Sequence, residues 1–295
     1  MSSTAPNHFV RATGASRRTG RKRALNKKAR VLTARNADKY ELYESAVYEP
    51  EADLGFIRGL FRRARGRGPR VLREDFAGTS KLSAFWAAGI PDGTAYAVDL
   101  DPVPLAWGRR RHLVHMGKAA QRVHQMRANV LSVRTPPADV VTAFNFSYWI
   151  FRERATMLAY YRRVFQSLRP EGAFFMDLMG GPSIQEKLTE KRREKGFTYV
   201  WEQETTDAIQ QHLRCHIHFR FPGGSVMRRA FTYDWRLWHL SELRDLLHEA
   251  GFQQVDVYWE DADRRGRGTG MFRRRKSAKN ETAWIAYLVA WKRPT

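Results

Sequence analysis

From residue 70 onward, two hydrophobic patterns take turns along the chain. RVLRED (70–75) is a short apolar run that enters acid and predicts a strand, while TSKLSAFWAAG (79–89) repeats its apolar residues at helical spacing and closes on Gly89. The pairing recurs: TAYAVDL (94–100) is a strand, PVPLAWGRRRHLVHMG (102–117) a helix with Pro near its start, and RVHQMRANVL (122–131) a short strand with its exit loop. Next come the buried strand DVVTAFNF (139–146), the helix RERATMLAYYRRVFQSL (152–168) and the strand AFFMDLM (173–179). Strands alternating with helices predict an α/β fold with a mostly parallel sheet covered on both faces. Upstream, DKYELYESAVYEPEADLGFIRGLFRR (38–63) predicts one or two leading helices.

The rhythm breaks between 180 and 238. FTYVWEQETT, QHLRCHIHFRF and VMRRAFTYDWRLW read as strands, the last two joined by ProGlyGly, which predicts an antiparallel β-hairpin or small sheet inserted after the fifth strand as a lid. The helix HLSELRDLLHEAGF (239–252) restores the pattern, followed by the strands QQVDVYWE (253–260) and TAWIAYLVAW (282–291). A basic loop and no crossover helix joins those two, so they pair antiparallel.

Charge changes the picture at the N-terminus. The net charge is +22, and residues 1–36 hold ten Lys and Arg and no acid. With few large apolar residues, that stretch cannot offset the entropy of folding alone and is expected to be a disordered tail or a helix formed on contact. It reads either as a solubilising tail or as an arm for RNA or another polyanion. A nuclear address in RRTGRKR and an Arg-rich transit peptide are further readings. RRGRGTGMFRRRKSAKN (264–280) is a second basic stretch, so the polyanion surface is expected over 11–35 and 264–276. The single cysteine, Cys215, excludes an internal disulfide, and no apolar run is long enough to span a bilayer. A cytoplasmic protein without membrane partners is the expectation.

The candidate chemistry lies at the strand ends. In open α/β sheets ligands bind outside the carboxyl ends, and a dinucleotide loop needs several glycines for close approach of backbone to pyrophosphate. The first loop here, EDFAGTS, has only Gly78; Phe76 and Ser80 stand where further glycines are expected. Glu74 and Asp75 make it a poor site for pyrophosphate and a reasonable one for an adenosyl ligand carrying a sulfonium and an ammonium. Asp99 follows Gly78 by 21 residues, a spacing at which a carboxylate can accept from both ribose hydroxyls.

Taken together, VLREDFAGTS, AVDLD, RANVL, DVVTAFNFSY, LRPEGAFFMDL and ELRDLLHEAGF resemble the class I S-adenosylmethionine-dependent methyltransferases over about residues 40–292, within an expected domain of 37–292. The resemblance implies a Rossmann-like sheet with its last strand antiparallel and S-adenosyl-L-methionine as cofactor. By it, Glu74, Ala77, Gly78 and Thr79 line the methionine end, Asp99 holds the ribose, Leu100 packs on the adenine, and Asn129 with Val130 sits at its edge. Asn145, Ser147 and Tyr148 lie at the fourth strand's end, where the methyl should emerge, and are the candidates to orient an acceptor. The departure from AsnProProTyr to AsnPheSerTyr argues against base or glutamine methylation.

Tyr40 and Tyr43, in KYELY, read first as core packing, with the folding of a leading helix over the cofactor as the alternative. Alternation sets Tyr233 and Trp235 on one face of the lid and Asp234 and Arg236 on the other, with Trp238 and His239 beyond; one of these faces should meet the site. His212, His216 and His218 share a strand face opposite Cys215, which is read as a solvated face and not as a metal site. The expected function is methyl transfer to a small-molecule acceptor. An RNA or protein methyltransferase using the basic tail is the alternative, and so is a non-catalytic polyanion-binding protein.

Overall fold

The computed structural model describes residues 31–264 and 268–293. The expectation for the basic tail therefore falls, through residue 30, outside the described residues. Helices α1 (Lys39–Val47) and α2 (Pro50–Arg65) lead into the alternation β1 (Val71–Asp75), α3 (Lys81–Gly89), β2 (Thr94–Asp99), α4 (Pro102–Arg111), β3 (Val123–Arg127), β4 (Ala138–Ala143), α5 (Arg154–Ser167) and β5 (Leu168–Gly180). Strands β6 (Leu188–Glu194), β7 (Phe197–Gln203), β8 (His212–Arg220) and β9 (Val226–Arg236) follow, then α6 (Leu240–Glu249), β10 (Gln254–Ala262), β11 (Gly268–Arg275) and β12 (Trp284–Trp291).

The main sheet has eight strands in the order β11-β10-β12-β5-β4-β1-β2-β3. Strands β3, β2, β1, β4 and β5 pair in parallel; β12 is antiparallel to both β5 and β10. The order reverses between β1 and β4, which places the ligand crevice at their carboxyl ends. Helices α2 and α3 cover one face, where Leu54, Ile57, Phe61 and Trp86 pack on Leu72, Val140 and Phe175. On the other face α5 and α6 bury Tyr161, Val164, Leu243 and Leu247 against Val141, Phe174 and Met176.

Two strands are absent from the hydrophobic pattern. LTEKRRE of β6 has charged residues at most positions, alternately half-buried and exposed, so it carries no apolar alternation and is made a strand by its pairing with β7. The lid is accordingly a four-stranded antiparallel sheet, β6-β7-β8-β9, the larger of the two forms expected for the insertion. The basic stretch expected to be a loop forms β11, whose Arg273, Arg274 and Arg275 lie across from Trp259, Tyr258 and Val257 of β10. The long helix expected over 102–117 stops at Arg111 and continues as two short 3₁₀ turns. His216 and His218 are also not solvated: both are buried, with His216 Nδ1 3.0 Å from Thr232 Oγ1 and His218 Nε2 3.3 Å from Glu202. Among the described residues no group of His, Cys, Asp or Glu could hold a metal, and no helix is long and apolar enough to cross a membrane.

One close approach fixes the crevice. A Cβ on Gly108 of α4 would lie 1.8 Å from the carbonyl oxygen of Thr79, so the helix seats against the β1–α3 loop backbone only because residue 108 has no side chain. Gly108→Ala should therefore destabilise the protein by about 2 kcal/mol or more in urea unfolding. Gly55→Ala on the exposed face of α2, where nothing lies within 4 Å of the added carbon, should stabilise it by about 0.5–1 kcal/mol.

Candidate functional site

The β1–α3 loop passes through the left-handed region three times, at Phe76 (φ 55°), Gly78 (φ 50°) and Ser80 (φ 59°). Only Gly78 does so without steric cost; each of the other two costs about 1–3 kcal/mol unless its surroundings hold it. They do. The Phe76 ring packs on Phe151 and Tyr160, with centroids 5.9 and 5.8 Å away, and the buried Ser80 hydroxyl accepts from Gln125 Nε2 at 3.0 Å. Asp99, at the end of β2, accepts from Gly78 N at 2.7 Å and from Asp101 N at 2.9 Å. Burial raises the pKa of Asp99, and the backbone hydrogen bonds oppose that rise. Nothing lies within 4 Å of where a Gly78 side chain would start, so the loop is open there.

The two acids of β1 point to opposite sides of the sheet, as alternation requires. Asp75 accepts from Arg73 Nε at 2.7 Å, Arg73 Nη2 at 3.0 Å and the Tyr160 hydroxyl at 2.9 Å, all buried. It is thereby committed to a buried ion pair. Glu74 turns towards α3, accepting from Ser83 N (2.9 Å), Ser83 Oγ (2.6 Å) and the Tyr48 hydroxyl (3.3 Å). Burial raises its pKa to about 7 against the pull of those donors.

A third acid, Glu44 of α1, was not singled out in the sequence. Its buried carboxylate accepts from the Thr79 hydroxyl, lies 2.7 Å from His112 Nε2 and 3.5 Å from Lys81 Nζ. Burial alone would raise its pKa, but the hydrogen bonds from His112 and Thr79 and the charge of Lys81 outweigh it and hold the carboxyl low. The only sequence signal was that Glu44 shares a helix face with Tyr40. Of the remaining cofactor candidates, Ala77 donates its N–H to Val98 O at 2.9 Å and is buried. Leu100 is 65% exposed beside Asp99. Asn129 accepts from Leu131 N at 2.9 Å, and Val130 is buried with its carbonyl on Arg73 Nη2 at 3.2 Å. Because Ala128 N bonds to Asp99 O at 3.0 Å, the RANVL loop and Asp99 meet at one edge.

The second half of the site is a cavity between the core and the lid, lined by Tyr43, Asn145, Asp177, Trp201, Tyr233 and Trp235 among others. It is the Tyr233/Trp235 face of the lid that meets the site. Their rings stack at 4.5 Å, with Trp201 6.2 Å from Tyr233 and 6.3 Å from Trp235. Arg236 faces away, lying over Trp238 at 3.8 Å and donating to Arg152 O and Glu242. His239 is the N-cap of α6 in a capping box with Glu242, outside the cavity. Of the three candidates after β4, Asn145 alone lines the cavity. Tyr148 is fully buried and donates to Asp177 O at 2.8 Å, and Ser147 Oγ bonds to Phe144 O at 2.9 Å. Both hold the turn instead of facing the cavity. Asn145 and Phe146 are both left-handed (φ 58°), which aims their N–H groups at the buried Asp177 carboxylate at 2.9 and 3.0 Å.

The elevated Glu74 pKa has a consequence for stability. The folded protein keeps that proton up to pH about 7, while the unfolded chain releases it near 4.5. The folded state therefore binds more protons across this window, and stability falls as pH rises through it, by about 3 kcal/mol. In urea unfolding between pH 5 and pH 8, Glu74→Gln should lose that much less stability than the wild type.

No protein-family model matches the chain, and no curated protein matches it. Solved structures do. An S-adenosylmethionine-dependent methyltransferase from Clostridium acetobutylicum superposes with a TM-score of 0.62 at 15% identity, over 87% of this chain and 98% of that one. The CcbJ methyltransferase from Streptomyces caelestis gives 0.59 at 17% identity, over 83% and 96%. The sugar N-methyltransferase KedS8 from a Streptoalloteichus species gives 0.58 at 17% identity, over 93% and 99%. With the strand order and the loop geometry, this likeness shows that the chain has the Rossmann-like fold of the class I S-adenosylmethionine-dependent methyltransferases.

Proposed function

We propose that the protein transfers a methyl group from S-adenosyl-L-methionine to a small-molecule acceptor. The observation that carries this reading is the juxtaposition of the open, left-handed β1–α3 loop and the Asp99 carboxylate with a lid-covered cavity at the end of β4. When bound, the cofactor supplies an electrophilic methyl on a sulfonium sulfur. The remaining lone pairs of Asp99 are placed to accept from the ribose hydroxyls, while exposed Leu100 offers the adenine an apolar surface and Asn129 with Val130 its edge. Ala77, Gly78 and Thr79 shape the methionine end, with Glu74 behind them. Because the leaving group is already activated, the enzyme's main work is alignment of nucleophile, methyl and sulfur. Asn145, at the cavity wall, orients the acceptor. The relatives of similar fold include proteins described as methyltransferases of sugars, which supports a small acceptor.

A second reading concerns the surface and has its own observation. A groove beside α6 is lined by Arg244, Val257, Trp259, Arg275 and Lys276, so that cations rim a partly exposed indole. Asp261 takes Arg273 and Arg275, and Asp256 takes Arg274, but Arg244 and Lys276 are in no ion pair among the described residues. This pattern suits a single strand of RNA, with phosphates on the rim and a base on the ring.

Calorimetric titration tests the first reading. S-adenosylmethionine and S-adenosylhomocysteine should bind and NAD should not, with Asp99→Ala weakening both adenosyl ligands about 10-fold or more. A folded protein that binds neither overturns it. For the groove, fluorescence anisotropy with a single-stranded RNA should show binding that falls steeply with salt and that Arg244→Glu with Lys276→Glu weakens.

A further inference from the structure

Resting on the methyltransferase reading, we infer that the acceptor is an amine, held with its nitrogen between the Asp177 carboxylate and the rings of Trp201, Tyr233 and Trp235. Asp177 is the one carboxylate lining a cavity otherwise walled by rings, aliphatic side chains and Asn145. It is 1% exposed, and the chain adopts two consecutive left-handed residues to bring Asn145 N and Phe146 N to its two oxygens. A carboxylate kept in such surroundings attracts a cation, and so do stacked indole and phenol faces.

The chemistry of the transfer favours nitrogen over oxygen. The nitrogen lone pair forms the bond to the methyl carbon as the carbon–sulfur bond breaks and its electron pair returns to sulfur. The bound ammonium first gives one proton to solvent and reacts as the neutral amine; positive charge then passes from sulfur to nitrogen, and no further proton has to leave in the transfer itself. That charge develops where the Asp177 carboxylate and the ring faces stand, so they stabilise the transition state more than the neutral amine. A hydroxyl acceptor would have to give its proton to a base. Among the described residues lining the cavity there is no His, Lys, Arg or Cys, and each oxygen of the Asp177 carboxylate already accepts an N–H bond. The Tyr199 and Tyr233 phenols have pKa values pushed well up by burial and remain donors. The cavity, about 40 Å³, holds about three waters and so admits an amino group with its methyl rather than the whole acceptor.

The test compares isopropylammonium with isopropanol, probes of similar size that differ in charge, by ligand-observed NMR on the full chain. Binding of S-adenosylhomocysteine is measured in parallel by calorimetry. The wild type should bind the ammonium about 10-fold more tightly than the alcohol. Asp177→Asn should erase the preference and Trp201→Leu should reduce it several-fold, with S-adenosylhomocysteine affinity within about twofold of wild type for both. Equal binding of the two probes to the wild type, or a preference that survives both substitutions, overturns the amine assignment. The wild-type comparison decides even if Asp177→Asn fails to fold. Loss of S-adenosylhomocysteine binding in the wild type would instead count against the methyltransferase reading, while the probe preference is still scored independently.

Discussion

The N–H of Gly78 on the carboxylate of Asp99 ties the end of β1 to the end of β2, and the ligand crevice takes its shape from that bond. The loop between β1 and α3 has to run left-handed at three positions, only one of which is glycine. A backbone of that kind persists only where its surroundings over-determine it. Asp99 holds it from the strand side, the Thr79 carbonyl rests against Gly108 of α4, and Glu44 of α1 receives the Thr79 hydroxyl from above. Because Phe76 and Ser80 make contacts a glycine could not, the chain replaces conformational freedom with packing.

Beneath the loop, the same strand sends acids to both faces of the sheet, with opposite outcomes. Asp75 is neutralised by bidentate Arg73 and steadied by Tyr160, so its charge stays in the core and its removal would strand a buried guanidinium. Glu74 has hydroxyl and amide donors but no cation, and its proton affinity rises towards neutrality. The acid that could respond to a cationic ligand is therefore the one on the α3 side.

The lid-covered cavity arises where α1, the ends of β4 and β5 and the lid sheet converge. The odd-numbered residues of β7, β8 and β9 form its apolar roof, Trp201, Ile217, Tyr233 and Trp235 among them, while the even-numbered residues set the buried His216 and His218 and their acidic partners on the opposite face of the lid. Tyr43 reaches in from α1, packing on Phe231 at 4.8 Å. A lid built this way can cover an acceptor while α1 covers the loop, with both anchored in one hydrophobic cluster.

Hydrophobic period and strand-end chemistry were enough to read the α/β alternation, the reversed final pairing, the inserted lid and the positions of Gly78 and Asp99, because these depend on residues near one another in sequence. They also placed Tyr233 and Trp235 on a common face. Strands β6 and β11 escaped because charged residues carry no apolar period, and only pairing with β7 and β10 makes them strands. The assignment of Asp75 to Arg73, the turning of Tyr148 into the core and the removal of Arg236 and His239 from the cavity depend on what each side chain meets. So do the arrival of Glu44 at Thr79 and of Asp177 beneath Asn145, contacts 35 and 32 residues apart. Local pattern determines which residues face together; which of those faces meets a ligand was decided by burial and hydrogen bonding between segments distant in the chain, and these exist only once the sheet and its lid have closed.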